Sequence, residues 1–295
     1  MARTDNLKNF LTDVAIAIKT KKGSQTSIQA SNFDTEITNL PTGTQIPKEI
    51  NYGSNQTYSV DMSFLTSINF TGRTNYSYMF QNSYQITTIP AFNMDIEATD
   101  VNHMFDSCQG LLTTPTFDLP NCTNSGYMFR YCGVIPSVNI TRLGTNLTTG
   151  GCNCQIMFGY CSYLTNITIG SGYVGNASSM FQNCVRLTSL PTTLDFSRCS
   201  AFGSMCSGCT LLEDVPIMNM AKATSGTSLP NMFANCPALT NTSLNNILAS
   251  LATKGGTATN NRTLKYIGLS SEQATTCTNL SNWSALSNLG WTTGY

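Results

Sequence analysis

One pattern of hydrophobic and polar positions recurs along most of the chain. Its clearest copy, residues 180–191, reads Met-Phe, two polar residues, Cys, two further residues, and an alternating run that ends in proline. Successive methionines lie 25, 24, 29, 23, 25 and 27 residues apart, and a period in this range predicts a repeat architecture. A small residue follows each methionine by four positions, in seven pairs: Met79 and Ser83, Met104 and Cys108, Met128 and Cys132, Met157 and Cys161, Met180 and Cys184, Met205 and Cys209, and Met232 and Cys236.

Each repeat carries the signals of three short segments. A polar stretch leads into a short helical or 3₁₀ turn with the Met, Phe and Cys, and an alternating run such as residues 187–190 then reads as a strand. Proline ends that strand in several copies: Pro90, Pro115, Pro136, Pro191 and Pro216. The pattern predicts an α+β repeat solenoid over residues 46–242, with a parallel sheet along one face and helical turns along the other.

Residues 1–45 are predicted to form a separate helical module. Apolar residues at helical spacing mark two short helices: Leu7, Phe10, Leu11, Val14 and Ile18 in the first, and Phe33 and Ile37 in the second. Helices this short bury too little apolar surface to be stable alone. We therefore expect the module to dock on other proteins or to form a homo-oligomer, with a simple cap on the solenoid as the alternative.

Residues 243–295 are predicted to close the other end of the core. Leu244, Ile247 and Leu248 begin a helical stripe, residues 263–269 read as a strand, and Ser270 opens another helix with capping-box spacing to Gln273. A terminal unit that covers the last repeat is the simpler interpretation. The alternative is a binding tip formed by exposed Trp291 and Tyr295.

A long interval separates the repeats of Met128 and Met157. The predicted insertion covers residues 139–154 and should bulge as a loop. Loops carry binding residues more often than the elements that they connect. The polar candidates for a binding loop are Asn139, Arg142, Asn146 and Asn153.

Six of the twelve cysteines occupy the same slot of the repeat. A ladder of metal ligands or disulfides is one interpretation, and a small apolar residue packed inside each coil is the other. Ser83 fills the slot in the first copy, which favours packing. Cys152 and Cys154 have only one residue between them and no histidine nearby, which is a weak metal signal. We expect no bound metal or cofactor, and the many thiols suit assembly in a reducing cytoplasm.

Composition narrows the classes of function. The formal net charge is zero and charged residues make up 10%, so a nucleic-acid binder with its basic face is not expected. No hydrophobic run is long enough to insert into a membrane, and the N-terminus lacks a secretory layout. His103, the single histidine, is expected to be a surface turn residue without a carboxylate partner. No catalytic motif is found, so an enzyme is not expected.

The repeats resemble BspA-type leucine-rich repeats of bacterial surface proteins. The resemblance rests on the form Met-Phe-x-x-Cys-x-x-Leu-Thr-x-Leu, which covers about 180 residues in seven copies. It implies a leucine-rich-repeat solenoid and an adhesive role, with a surface protein or glycan as the ligand.

The N-terminal segment is similar to that of many phage tail and baseplate proteins. The matching residues are 15–24 and 28–37, which include Ala15, Lys22, Gly23 and Phe33. This resemblance implies a virion component whose module 1–45 contacts other virion proteins and whose solenoid binds the host surface. A bacterial cell-surface adhesin is the alternative, and a polysaccharide-degrading enzyme is a distant third because the few carboxylates show no pairing.

Overall fold

The structure of the protein is a computed structural model. It describes residues 68–69, 74–84, 86–89, 92–93, 97–148, 150–220, 229–252 and 262–295. The predicted module 1–45, with the docking residues from Leu7 to Ile37, lies outside the described residues.

The described strands pair in parallel. They are β1 (Ile68–Asn69), β2 (Phe92–Asn93), β3 (Phe117–Leu119), β4 (Ser137–Leu143), β5 (Cys152–Asn153), β6 (Asn166–Asn176) and β7 (Leu194–Asp195). β1 pairs with β2, and a five-stranded sheet has the order β3-β4-β6-β5, with β7 on β6. Long β6 is central, because Ser137 of β4 lies opposite Asn166 and Leu194 of β7 lies opposite Gly172.

The predicted α+β leucine-rich-repeat solenoid is wrong. The sheet is a curled parallel half-barrel with few helices. In the described residues, helices occur only near the C-terminal end, as α1 (Asn241–Ala252), α2 (Ser271–Cys277) and α3 (Trp283–Asn288). The Met-Phe segments, expected to be helical or 3₁₀, are chains of tight turns instead.

Alternating hydrogen bonds explain why these segments are not helical. In the Met180 repeat, the amides of Met180 and Gln182 donate to carbonyls three residues back, at 3.1 Å each. The amide of Phe181, between them, donates to Met205 O in the next repeat at 2.8 Å. Every second amide is thus committed to another repeat, whereas an α-helix requires consecutive amides to bond within their own segment.

Two positions in each turn segment have left-handed backbone. The residue before the methionine has φ of 60° at Tyr127, 54° at Ile156 and 53° at Ser179. The residue before the cysteine does the same, as at Asn183 with φ 57°. This conformation suits the third position of a type II turn but disfavours any side chain other than Gly or Asn.

The repeated Met, Phe and Cys side chains form the core, as the pattern predicts. Met180, Phe181 and Cys184 are fully buried. The phenylalanines of five repeats stack in one column, with centroid separations of 5.3 to 5.7 Å. The column ends after Phe181 because Cys206 takes the equivalent place in the next repeat.

Each slot cysteine also makes a directed contact. The thiol of Cys184 donates to Phe158 O in the preceding repeat at 3.1 Å, and the Cys209 thiol donates to Phe181 O at 3.0 Å. The other four thiols of the slot do the same at 3.0 to 3.2 Å. In these six copies the slot holds a small side chain that also donates a hydrogen bond. In the first copy the Ser83 hydroxyl is buried with no hydrogen-bond partner among the described residues, so small size is the requirement that all seven copies share.

At the C-terminal end, two predicted helices are present. Leu244, Ile247 and Leu248 are buried along α1, and α2 begins with a capping box between Ser270 and Gln273. The strand predicted at residues 263–269 is wrong: the segment forms turns that continue the stack, with Phe233 N bonded to Ile267 O at 2.9 Å.

Relief of backbone strain should stabilise the stack. Ile156 is β-branched and has φ 54°, whereas the equivalent Asn231 has φ 55°. Because asparagine tolerates left-handed backbone and isoleucine does not, we expect Ile156→Asn to raise the free energy of unfolding by about 1 kcal/mol. Thermal unfolding measures the change as a higher Tm.

The reciprocal variant, Asn231→Ile, is the matched control and should lower Tm. A lower Tm for Ile156→Asn would show that the packing of the isoleucine side chain outweighs the strain.

Candidate functional site

The predicted binding loop is only partly a loop. Asn139 and Arg142 lie in β4 and Asn153 in β5, so the expectation that residues 139–154 bulge as a whole is wrong. Strand β4 forms because its alternate residues Val138 and Ile140 are buried against the core. Of the four candidates, Asn146 alone lies in the turn between the strands.

The candidate side chains do not converge on one point. Asn139 is exposed on the sheet face, opposite Thr168 of β6. The Arg142 guanidinium binds both carboxylate oxygens of Asp118, at 2.8 and 2.5 Å, and this hydrogen bonding raises the pKa of Arg142. Asn146 donates from its side-chain amide to Asn121 Oδ1 at 3.0 Å.

Asn153 belongs to a ladder that orders the backbone. Its Oδ1 accepts from the amide of Gln155 at 3.3 Å, and its Nδ2 donates to Asn124 Oδ1 at 3.2 Å. Asn124, Asp100 and Asn75, at the same position of other repeats, also accept from the amide two residues on. Such Asx turns fix the entry into each turn segment.

Arg198 holds the remaining loop in place. Its Nη1 donates to Leu147 O at 2.6 Å and to Gly150 O at 3.0 Å. Its guanidinium carbon lies 3.9 Å from the centroid of the Tyr173 ring. Arg198 is 48 to 51 residues from the carbonyls that it binds, so the contact is not visible in the local pattern.

Of the two residues predicted to form an exposed C-terminal tip, Trp291 is buried and Tyr295 is exposed. Trp291 is only 5% exposed and packs in the core, whereas Tyr295 is 60% exposed. The hydroxyl of Tyr295 donates to Leu269 O at 2.5 Å, and Lys265 Nζ lies 5.0 Å from its ring centroid. Trp291 is buried because the last turns of the chain close the stack over it.

His103 lies in a turn, as expected, but the expectation that it has no carboxylate partner is wrong. His103 Nδ1 lies 2.7 Å from Asp106 Oδ2, and its ring stacks between Tyr78 and Tyr127 at 4.9 and 4.4 Å. The Asp106 side chain is 1% exposed. Arg130 binds both of its oxygens, at 2.9 and 2.7 Å.

The surroundings of Asp106 favour its ionised form. Burial raises the pKa of this carboxyl, but hydrogen bonds from His103, Arg130 and Gln81 outweigh burial and lower the pKa to about 2. Ser107 Oγ also donates to Asp106, at 3.3 Å. The carboxylate therefore lies between the imidazole and the hydroxyl. In a nucleophilic triad the imidazole is in the middle, so the geometry suits structural charge pairing.

A second group of thiols lies where the insertion ends. Cys152 Sγ is 3.7 Å from Cys122 Sγ and 3.3 Å from Ser125 Oγ. All twelve cysteines are free and buried. Across the described residues, no group of three or more His, Cys, Asp or Glu side chains is arranged to hold a metal ion. Burial raises the pKa of the Cys161 and Cys184 thiols, which keeps them protonated and able to donate.

An exposed surface that the sequence analysis missed crosses the turn segments of four repeats. We name it the Tyr–Arg patch; its members are Tyr131, Val134, Tyr160, Tyr163, Arg186 and Leu211. Tyr131 and Tyr160 stack at 4.7 Å, and the Arg186 guanidinium lies 4.1 Å from the centroid of Tyr163. Four members lie six residues after their methionine, a signal that appears only when the copies are aligned on that residue.

No protein-family model matches the chain, and comparison with curated proteins finds no match. The leucine-rich-repeat and phage resemblances therefore rest on the residues alone. In the described part of the chain, no helix combines the length and apolar character needed to cross a membrane.

The Asp106 cluster predicts a stability change at low pH. The folded pKa of about 2 lies below the ordinary 3.8, so the stabilisation is present above pH 3.8 and is lost as pH falls towards 2. A shift of this size corresponds to about 2 kcal/mol. We expect Asp106→Asn to lower the unfolding free energy at neutral pH by at least this amount and to flatten its decline in acid, as measured by denaturant unfolding.

Asp118→Asn is the matched control. It also removes a carboxylate bound by arginine, but the Asp118 side chain is 35% exposed, so its loss should cost less than about 1 kcal/mol. Equal losses in the two variants would contradict the special role of Asp106.

Loss of the Arg198 contacts should loosen the loop. In Arg198→Lys, a single ammonium replaces the guanidinium that binds Leu147 O and Gly150 O, so we expect amides of residues 144–148 to exchange about tenfold faster. Hydrogen-exchange mass spectrometry measures this rate. Arg186→Lys should leave the loop unchanged, and unchanged exchange in Arg198→Lys would refute the proposed anchoring.

Proposed function

We propose that the chain is a structural and adhesive component of a bacteriophage virion, in its tail, baseplate or fibre. Residues 1–45 dock on other virion proteins, and the stacked repeats present a surface that binds a host protein or glycan. The proposal rests on one observation: buried positions hold the same residue types in successive repeats, whereas exposed positions differ from repeat to repeat. Met, Phe and Cys recur in the core, whereas the exposed position six residues after the methionine holds Val134, Tyr163, Arg186 or Leu211.

This combination suits a binding scaffold. The core residues and the bonds between repeats fix the backbone, so exposed side chains can differ without loss of the fold. Tyr131, Tyr163 and Leu211 are 41%, 49% and 52% exposed. Together with the neighbouring members of the Tyr–Arg patch they form one exposed surface, and such a surface is suited to contact with a ligand.

The N-terminal resemblance supports a place in the virion. Residues 15–37 are similar to the segment that begins many tail and baseplate proteins, and the apolar stripe from Leu7 to Ile18 suits packing against another chain. A homo-oligomer formed through this module would present several copies of the binding surface and increase avidity.

The thiols favour this proposal over an exported bacterial adhesin. The Cys152 thiol donates a hydrogen bond to Cys122 Sγ at 3.7 Å, and none of the twelve cysteines forms a disulfide. Reduced thiols in such number suit folding in a reducing compartment, where phage proteins are made, more than an oxidising exterior.

The carboxylates give little support to an enzyme. Asp106 and Asp118 are each bound by an arginine at both oxygens, so neither is poised as a general acid or base. We therefore keep a non-enzymatic role as the proposal.

Incorporation into particles tests the docking role. We expect the full-length protein to be detected by mass spectrometry in purified virions from cells that carry the encoding genome. Phe10→Asp and Val14→Asp place a charge on the predicted docking face and should reduce incorporation about tenfold or more. Thr168→Asp, on the exposed face of β6, is the control and should incorporate normally.

Absence of the protein from purified particles would refute the proposal. Normal incorporation of both N-terminal variants would refute the docking role of residues 1–45.

A further inference from the structure

The Tyr–Arg patch is continuous because its repeats are held in register. Tyr131 N donates to Gly159 O at 2.9 Å, which places Tyr131 beside Tyr160. Tyr163 N donates to Gly133 O at 3.2 Å, and this bond brings Tyr163 next to Val134. Thr210 Oγ1 donates to Val185 O at 3.3 Å, so Leu211 follows Arg186 in the same row.

We propose that the Tyr–Arg patch binds an acidic glycan, a sugar polymer that carries carboxylate or phosphate groups. Sugar rings pack on the exposed tyrosines, and the acidic group binds the guanidinium of Arg186. This inference rests on the proposed role in host-surface binding and names the ligand class of that surface.

The tyrosines supply the apolar contact. Tyr131 and Tyr163 are among the exposed large side chains, and each combines a flat ring with a hydroxyl. Tyr131 packs against the Tyr160 ring and the Arg130 guanidinium, and Tyr163 packs against the Arg186 guanidinium. The exposed part of each ring is left to contact the C–H groups of a sugar, while the hydroxyl bonds to its polar groups.

The hydroxyls of Ser162 and Thr210 lie beside the patch. Each donates to a carbonyl of the neighbouring repeat, and its oxygen can still accept a hydrogen bond from a sugar hydroxyl.

Arg186 supplies the charge. The side chain is exposed, and the Tyr163 ring 4.1 Å from its guanidinium carbon orients it without using its N–H donors. Arg130, by contrast, already spends Nε and Nη2 on Asp106. The Arg186 guanidinium is held over a ring and binds no carboxylate in the described part of the chain. It is therefore suited to a bidentate bond with a carboxylate or phosphate of the ligand.

The size of the patch favours a glycan over a folded protein. Four repeats at a spacing of about 4.8 Å give a row about 14 Å long. A stable protein interface needs about 800 Å² on each partner, which is far more than one row of side chains offers. A short stretch of sugar polymer fits this length. Exposed Glu213, two residues after Leu211, repels an acidic group at that end and directs it to Arg186.

Binding of defined polymers to the full-length protein tests the inference. The probes are polygalacturonate for carboxylate, poly(glycerol phosphate) for phosphate, and dextran as the neutral polymer, measured by biolayer interferometry. We expect at least one acidic polymer to bind and dextran not to bind. Tyr163→Ala and Arg186→Gln should each weaken that binding about tenfold, and added salt should weaken it further.

Two matched variants control for loss of a tyrosine or an arginine elsewhere. Tyr84→Ala removes a tyrosine that is 44% exposed outside the patch, and Arg142→Gln removes an arginine on the sheet face. Both should bind like the wild type. The inference would be overturned by equal binding to dextran, by no binding to either acidic polymer, or by unchanged binding of both Tyr163→Ala and Arg186→Gln. An unchanged Tm verifies that the variants are folded.

The outcome is separable from that of the proposed function. Virions that contain the protein and adsorb to host cells equally well with Tyr163→Ala and Arg186→Gln would overturn the glycan site and leave the virion role intact. If the protein binds acidic polymers through the patch but is missing from virions, the virion role would be overturned and the glycan site would stand.

Discussion

Backbone hydrogen bonds that alternate between one repeat and the next are the constraint on which this structure depends. Because Phe181 N bonds to Met205 O while its neighbours bond within their own turn, each segment completes its backbone hydrogen bonds only when the next one is present. The same bonds place the phenylalanines in a column and bring each slot thiol within reach of a carbonyl. Packing, backbone order and register of the exposed side chains therefore have one origin.

The interior could be predicted from the sequence, and the backbone of the turns could not. The period of Met180, Phe181 and Cys184 identifies core positions because burial selects the same side chains in every copy. The left-handed backbone at Tyr127 and Ile156 has no such signal, since neither residue type prefers it. A helical interpretation of these turns follows from local spacing, and partners about 25 residues away override it.

The positions of the candidate site residues likewise depend on contacts that the local sequence does not reveal. Strand β4 takes Asn139 and Arg142 out of the predicted loop because parallel pairing with β6 depends on residues that are distant in sequence. Trp291 looks like a tip residue in isolation, but the closing turns bury it. The Tyr–Arg patch cannot be recognised from the sequence, because its members are separated by up to 80 residues, from Tyr131 to Leu211. They come together only when the repeats stack.

The bonds between neighbouring repeats also bear on how such a gene can change. Each repeat is joined to the next by nearly the same set of contacts, so duplication or loss of a whole unit by recombination would preserve every remaining junction. The length of the chain, and with it the number of exposed rows, is therefore open to variation without redesign of the core. A lineage could lengthen or shorten the exposed surface by repeat number alone.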